Sequence, residues 1–308
     1  MSFILLLGGF IFLIKGADYF VEGSSNIAKK FKISPMIIGL TIVALGTSMP
    51  ELSVSITSSL IGKNDMSLAN VVGSNMFNIL MALGTSSLII NLPIKKDSIK
   101  FDIPFLIGIG ILLLLMLFDL KLSIFEGLIL IGVFVFYLCK KLKPMLKKRN
   151  KDIKENEEKN KSMFKMIVIS LVGIIGIIIG GDMVVDNASK IAEIFGMSQN
   201  LIGLTIVAVG TSLPEFVTSI MAIKKGENEI AIGNVVGSNI FNILLILGVS
   251  SVVNPLMVNI VGLIDVLFMV ASSVLLYLFI RKNKNLNRYQ GIAFILLYVG
   301  YIIYTIIR

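Results

Sequence analysis

Apolar runs of about 20 residues alternate with short polar breaks along the whole chain. A helix rises about 1.5 Å per residue, so a run of roughly 20 residues crosses the ~30 Å hydrocarbon core of a bilayer. The pattern predicts an all-α integral membrane protein with ten transmembrane helices. Their predicted spans are 2–29, 34–61, 67–90, 102–118, 122–140, 164–193, 199–223, 230–252, 260–280 and 289–307.

The composition agrees with the bilayer as the solvent of this chain. Hydrophobic residues make up 56% of the 308 positions and charged residues only 15%. Histidine is absent and Cys139 is the only cysteine, which excludes disulfides, thiolate or imidazole metal sites, and a nucleophile activated by histidine. We therefore expect no enzyme activity and no cofactor, and any metal ion must bind to oxygen.

The net charge of +9 follows the predicted topology. If the N-terminus lies outside, 23 of the 28 lysines and arginines lie on one side of the membrane. The positive-inside rule makes that side cytoplasmic and places both termini outside. We expect a multi-pass protein of the cell membrane whose partners are the lipid bilayer and ions; the charge does not indicate nucleic acid, and no protein partner is evident.

The chain contains an internal repeat with a constant offset of 164 residues. Residues 37–80 align without gaps to residues 201–244, with 26 of 44 positions identical. The predicted divisions are a first five-helix repeat at 1–142, a charged cytoplasmic linker at 143–163 and a second five-helix repeat at 164–308. Because five is odd, the second copy enters the membrane inverted. Such pairs bind a substrate near the midplane and use alternating access, although a channel is a competing use of this symmetry.

The sequences GTSMPE at 46–51 and GTSLPE at 210–215 interrupt apolar segments near their middle. Proline has no amide hydrogen and clashes with the carbonyl four residues earlier, so Pro50 and Pro214 should release backbone oxygens. Glu51 and Glu215 follow these breaks directly. An ionisable residue at the bilayer centre costs about 3 kcal/mol even on lenient scales, so two equivalent ones need a reason. A calcium ion, which takes six to eight oxygen ligands, supplies that reason better than magnesium, which holds its waters.

A second motif forms a polar stripe along one face of an apolar helix, and it also occurs twice. The two stripes are Asn70, Ser74 and Asn78 in the first repeat and Asn234, Ser238 and Asn242 in the second. The stripes either provide neutral oxygens for a monovalent ion or form interhelical hydrogen bonds where Gly73 and Gly237 let helices pack closely. Both interpretations remain open at the level of sequence.

Two pairs of acidic residues lie one helical turn apart in the first helix of each half: Asp18 with Glu22, and Asp182 with Asp186. They either guide ions at the mouth of a cavity or pair with lysines such as Lys15.

The paired GTSxPE segments, each followed by GSNxFN, resemble the alpha repeats of the cation/calcium antiporter superfamily, in particular its prokaryotic sodium/calcium exchangers. The resemblance implies that calcium is bound by Glu51 and Glu215 together with backbone oxygens of Thr47 and Thr211, and that sodium shares these carboxylates. It also implies that the first and sixth helices slide across the other eight. The positions that match the flanking sodium sites are Ala44, Ser48, Ser74, Ala208, Ser212 and Ser238.

The central site departs from the exchanger pattern in one residue. The second copy commonly has aspartate where this chain has Asn242, which matches Asn78, so the central site is more symmetric and less acidic. With both glutamates ionised the site carries a charge of −2, which one calcium ion or two protons neutralise. Sodium/calcium exchange is the first hypothesis because the serines and asparagines offer oxygens that a proton would not need. Calcium/proton exchange is the alternative, since buried carboxylates protonate readily.

Overall fold

Helices make up almost all of the part of the chain that the computed structural model describes. The described residues are 2–62, 64–152, 163–196 and 208–307, without the side chains of 64–65, 144–152 and 208. The helices are α1 (Ser2–Lys30), α2 (Pro35–Thr47), α3 (Met49–Leu60), α4 (Asn64–Met76, Phe77–Leu83 and Gly84–Ile89), α5 (Ser98–Asp119), α6 (Ile124–Asp152), α7 (Met163–Ile194), α8 (Ala208–Thr211), α9 (Leu213–Lys224), α10 (Asn228–Val253), α11 (Ile260–Asn283) and α12 (Arg288–Ile307). Four two-residue strands accompany them: β1 (Leu92–Pro93), β2 (Lys121–Leu122), β3 (Leu256–Met257) and β4 (Asn285–Leu286).

Eight of the ten predicted spans correspond to helices that are long and apolar enough to cross a membrane. Seven of these are single helices, and the eighth is the pair α2 and α3, which is bent by 49°. The predicted span 122–140 lies within α6, whose apolar stretch is bordered by Glu126, Lys140 and Lys141. The predicted span 199–223 lies partly outside the described residues, and α8 and α9 cover its remainder.

The predicted linker at 143–163 begins as a helix, because α6 continues to Asp152. Residues 153–162 of the linker lie outside the described residues. Lysine, leucine, methionine and arginine, which fill much of the segment from 143 to 152, are good helix formers, so a polar composition does not end α6 at the membrane edge.

The helices α1 and α7 pack with their backbones in direct contact through glycines. A Cβ atom built on Gly16 would lie 2.6 Å from the backbone nitrogen of Ile177 and 2.8 Å from the carbonyl oxygen of Gly173. A Cβ atom on Gly180 would lie 2.8 Å from the carbonyl oxygen of Gly9. Gly173 and Gly180 are the repeat equivalents of Gly9 and Gly16, so each half supplies the same glycines to this contact. Small residues of this kind let membrane helices approach closely.

Gly16→Ala should therefore separate α1 from α7 and destabilise the protein by about 1–3 kcal/mol, the usual cost of overpacking. Gly8→Ala is the matched control, because a Cβ atom there meets only the Cε atom of Met183 at 3.5 Å. The measurement is the thermal unfolding midpoint of the two variants in detergent. Equal midpoints would show that the contact between α1 and α7 is not tight.

The four short strands form two antiparallel ladders that the internal repeat exchanges. Leu92 of β1 pairs with Leu286 of β4, and Leu122 of β2 pairs with Leu256 of β3. The residue 164 positions after Leu92 is Leu256, and the residue 164 positions after Leu122 is Leu286. Each ladder therefore joins one half to the other, and the two halves exchange roles between the ladders, as expected for a twofold relation.

The two helices that carry the polar stripes lie at the centre of the molecule. Every residue of α10 from 230 to 241 is buried, and α4 is largely buried as well. By contrast, α5 and α6 expose large apolar side chains such as Phe118 and Phe125, which are 86% and 73% exposed. The inner helices therefore present their polar residues to other protein segments, and the outer helices present an apolar surface suited to lipid.

Candidate ion-binding site

Each GTSxPE segment forms a break between two helices. Ser48, with φ −84° and ψ 10°, separates α2 from α3, and Ser212, with φ −91° and ψ 0°, separates α8 from α9. Pro50 and Pro214 each occupy the second position of the helix that follows. As predicted, these prolines supply no N–H group to the carbonyls of the glycines four residues earlier.

The structure places Glu51 and Glu215 in the first turns of α3 and α9, and neither side chain is exposed at all. The positive end of each helix dipole therefore faces a carboxylate. Glu51 Oε1 accepts a hydrogen bond from Ser212 Oγ at 3.2 Å, and Glu215 Oε1 accepts one from Ser48 Oγ at 2.8 Å. Each carboxylate is therefore bonded to the helix break of the opposite half, and the two sites form one cluster.

The second oxygen of each carboxylate is the one that remains available. Within the part of the chain that the structure describes, Glu51 Oε2 and Glu215 Oε2 are buried and have no hydrogen-bond partner. A buried carboxylate oxygen without a donor is costly unless a proton or a cation occupies the site. This pair of oxygens is therefore suited to a cation between α3 and α9.

The hydroxyl groups of the two threonines are already engaged. Thr47 Oγ1 lies 3.1 Å from Asn234 Oδ1 and 3.2 Å from the carbonyl oxygen of Val43. Thr211 Oγ1 donates to Asn70 Oδ1 at 3.3 Å. The oxygen that each threonine can offer to an ion is therefore its backbone carbonyl at the helix break.

Asn70 and Asn234 hold the glutamates in place. Asn70 Nδ2 donates to the carbonyl oxygen of Glu51 at 3.2 Å, and Asn234 Nδ2 donates to that of Glu215 at 3.2 Å. The same amides reach Ser55 Oγ at 2.9 Å and Ser219 Oγ at 3.1 Å. Sequence reasoning missed this positioning role of Ser55 and Ser219, although their identity at the repeat offset was a signal that could have revealed it.

A reciprocal pair of asparagines joins the two polar stripes. Asn75 Nδ2 donates to the carbonyl oxygen of Asn239 at 3.3 Å, and Asn239 Nδ2 donates to that of Asn75 at 3.1 Å. Their side-chain oxygens accept hydrogen bonds from Asn78 Nδ2 and Asn242 Nδ2, both at 3.0 Å. These contacts confirm the interhelical interpretation for Asn75 and Asn239.

The same contacts orient Asn78 and Asn242. Because their amide nitrogens are used, their side-chain oxygens are left over, and both oxygens are buried without a donor among the described residues. The centre of the molecule therefore offers two neutral oxygens at equivalent positions of the two repeats.

The remaining predicted site residues fall into two groups. Ser238 Oγ lies 3.5 Å from Glu215 Oε1, whereas Ser74 Oγ is buried and has no hydrogen-bond partner among the described residues. Ala44 is buried in α2, and its carbonyl accepts a hydrogen bond from the Ser48 N–H group at 3.0 Å. Ala208 begins α8, and its side chain lies outside the described residues.

The acidic pair in α1 contacts a lysine from the second half. Lys225 Nζ lies 2.9 Å from Asp18 Oδ1 and 3.6 Å from Glu22 Oε2. The lysine-pairing interpretation is therefore confirmed for this pair, with Lys225 as the partner instead of Lys15. Nearby, Lys29 Nζ lies 2.7 Å from Glu227 Oε1. Burial alone would raise the pKa of Glu227, but the hydrogen bonds from Lys29 and Ser25 and the charge of Lys29 lower it overall.

Comparison with known proteins gives the same assignment along the whole chain. The family model described as sodium/calcium exchanger protein matches residues 1–143 and 165–307. The sodium/calcium exchanger MaX1 of Methanosarcina acetivorans is 34% identical over 342 residues, which cover 98% of each chain. The inner membrane protein YrbG of Escherichia coli is 35% identical over 258 residues, which cover 82% of this chain and 79% of YrbG.

A solved structure of the sodium-calcium exchanger NCX_Mj superposes on this chain with a TM-score of 0.86. The two sequences are 34% identical, and the superposition covers 98% of this chain and 97% of NCX_Mj. Sequence family, full-length relatives and three-dimensional fold agree, so this chain is a transporter and belongs to the sodium/calcium exchanger family.

Proposed function

We propose that the protein is a secondary active antiporter that exchanges calcium for sodium, with the ions bound between Glu51 and Glu215. The observation that carries this proposal is the pair of fully buried carboxylates, each with one oxygen that has no hydrogen-bond partner among the described residues. The two side chains together supply a charge of −2, which one calcium ion neutralises. A hard divalent cation prefers carboxylate and carbonyl oxygens, which are the donor types at the two helix breaks.

Calcium takes one oxygen or more from each glutamate and the backbone oxygens of Thr47 and Thr211 in this proposal. The engagement of both threonine hydroxyls with asparagines supports the use of the backbone oxygens. Sodium ions share the glutamates and use neutral oxygens next to them. The proposed sodium or central positions are Ser48, Ser212, Ser74, Ser238, Asn78, Asn242, Ala44 and Ala208.

Alternating access requires the two halves to act as inverted five-helix repeats with ten membrane spans and both termini outside. The exchange of the two ladders by the repeat offset supports a twofold relation between the halves. The first and sixth spans correspond to α1 and α7, whose backbones touch through glycines. This contact supports the movement of α1 and α7 as one unit across the remaining helices.

The choice of counter-ion determines the response to voltage. Three sodium ions would leave the site with a charge of +1, whereas two protons would leave it neutral. Each net charge that crosses the membrane is worth about 2.3 kcal/mol per 100 mV. The neutral oxygens of Asn78 and Asn242 favour sodium, because protonation of the two glutamates would not require them.

Calcium uptake into proteoliposomes should therefore be driven by an outward sodium gradient at clamped voltage. The comparison is an outward proton gradient of equal size applied to the same vesicles. Uptake driven only by protons would reassign the protein to calcium/proton exchange. Calcium flux that needs neither gradient would contradict the antiporter proposal and favour a channel.

A further inference from the structure

A groove of about 450 Å³ opens on the outer surface between the end of α1, α2, α6 and α10. Apolar side chains form its wall almost entirely, and Thr41 is its one polar lining residue. The Thr41 hydroxyl donates to the carbonyl oxygen of Ile37 at 2.7 Å, so it is engaged within its own helix. A cavity of this size and polarity suits a hydrocarbon ligand. Its lining includes Ile27, Phe31, Leu45, Phe134, Leu138 and Leu142.

One end of this groove is bordered by exposed lysines. Lys32 lies between the lining residues Phe31 and Ile33, and Lys143 follows the lining residue Leu142. Lys140 is also exposed, and its Nζ atom lies 3.8 Å from the centre of the Phe101 ring. The groove therefore combines an apolar wall with a positively charged rim.

The internal repeat provides a comparison for this rim. The equivalents of Phe31, Leu138 and Leu142 in the second half are Phe195, Ile302 and Ile306, so the apolar character is kept. The equivalents of the rim lysines 32, 140 and 143 are Gly196, Tyr304 and Ile307, so the charge is lost. The positive rim is a feature of one half only.

The backbone at Lys32 gives an independent reason to look for a function. Lys32 has a φ of 51°, and its repeat equivalent Gly196 has a φ of 82°. This left-handed region is readily adopted by glycine and is unfavourable for a residue with a Cβ atom. The first half therefore keeps a lysine at a position where glycine would fit the turn better.

We propose that this groove binds an anionic phospholipid of the bilayer, with an acyl chain against the apolar wall and the phosphate at Lys32, Lys140 and Lys143. Basic pockets between membrane helices are known to recognise such headgroups. The groove wall includes Leu45, next to Ala44, and Phe241, next to Asn242. The acyl chain therefore packs directly beneath two segments of the ion-binding site, and its occupancy affects how freely they move.

The chain has no tryptophan, so a single introduced tryptophan reports on lipid contact without background. Leu142→Trp places the reporter in the groove, and Ile306→Trp places it at the equivalent position of the second half. Each variant is reconstituted in phosphatidylcholine nanodiscs that contain either brominated phosphatidylglycerol or brominated phosphatidylcholine. We expect phosphatidylglycerol to quench the groove reporter preferentially, by about fivefold in apparent affinity for each lysine that contacts the phosphate. The Ile306→Trp reporter should show no preference.

Lys32→Gly in the Leu142→Trp background separates lipid binding from folding. This change relieves the backbone strain, so the thermal unfolding midpoint should stay equal or rise while the preference for phosphatidylglycerol falls. Lys140→Gln with Lys143→Gln should reduce it further. Equal quenching by the two lipids at Leu142→Trp, or a preference that survives all three substitutions, would overturn the proposal and leave the lysines with a role in topology alone.

Discussion

Glu51→Gln is expected to abolish calcium transport and to weaken calcium binding. Glutamine keeps the volume of the side chain, and its oxygen can still accept the hydrogen bond from Ser212, but the site loses half of its negative charge. Loss of one partner from a buried charge pair costs roughly 2–5 kcal/mol, which corresponds to about 30- to 5,000-fold weaker binding. Glu215→Gln should have an effect of similar size, because the two residues occupy equivalent positions. Titration of the purified protein with calcium measures the affinity, and uptake into proteoliposomes measures transport.

Glu126→Gln is the matched control for these two variants. Glu126 Oε2 accepts a hydrogen bond from the Ser123 N–H group at 2.8 Å at the start of α6. The repeat equivalent is Gln290, whose Oε1 atom accepts from the Asn287 N–H group at 2.9 Å. The chain itself therefore demonstrates that glutamine serves in this position, so transport should be unchanged. If Glu51→Gln bound calcium as tightly as Glu126→Gln, the ions would not be bound by the buried glutamates.

Asn75→Ala is expected to lower both stability and transport, because it removes the contact that joins the two polar stripes. The change leaves the buried carbonyl of Asn239 without the Asn75 donor and the amide of Asn242 without its acceptor. Single hydrogen bonds between membrane helices contribute about 0.6 kcal/mol on average, and a buried polar group left unsatisfied costs roughly 1–3 kcal/mol. We therefore expect a destabilisation of about 1–3 kcal/mol. Transport should fall further than stability, because Asn242 loses the contact that orients its free oxygen.

A double-mutant cycle tests this contact directly. Asn239→Ala should have nearly the same effect as Asn75→Ala, and the double variant should be less damaged than the sum of the two, with a coupling energy of at least about 0.5 kcal/mol. Asn187→Ala is the control, because the Asn187 amide donates only to the carbonyl of Met183 in its own helix, at 2.8 Å. Additive effects at Asn75 and Asn239 would show that the two residues do not stabilise each other across the repeats.

The sequence predicted the residues of the site better than their roles. Glu51, Glu215 and the two helix breaks were identifiable because an acid and a proline are anomalous in an apolar segment. The stripes were identifiable from their spacing, but spacing does not distinguish an asparagine that binds an ion from one that joins two helices. The structure separates them: Asn70 and Asn234 hold backbone carbonyls, while Asn78 and Asn242 keep free oxygens.

Hydropathy and the repeat in the amino-acid sequence determined by themselves that this is a helical membrane protein built from two related halves. Both properties are local or periodic, so they are visible along a single chain. Only the tertiary structure decided that Ser212 bonds Glu51 and that Ser48 bonds Glu215, because these partners are 161 and 167 residues apart. Contacts over such distances depend on how the two halves pack. That packing sets which oxygens remain free for an ion.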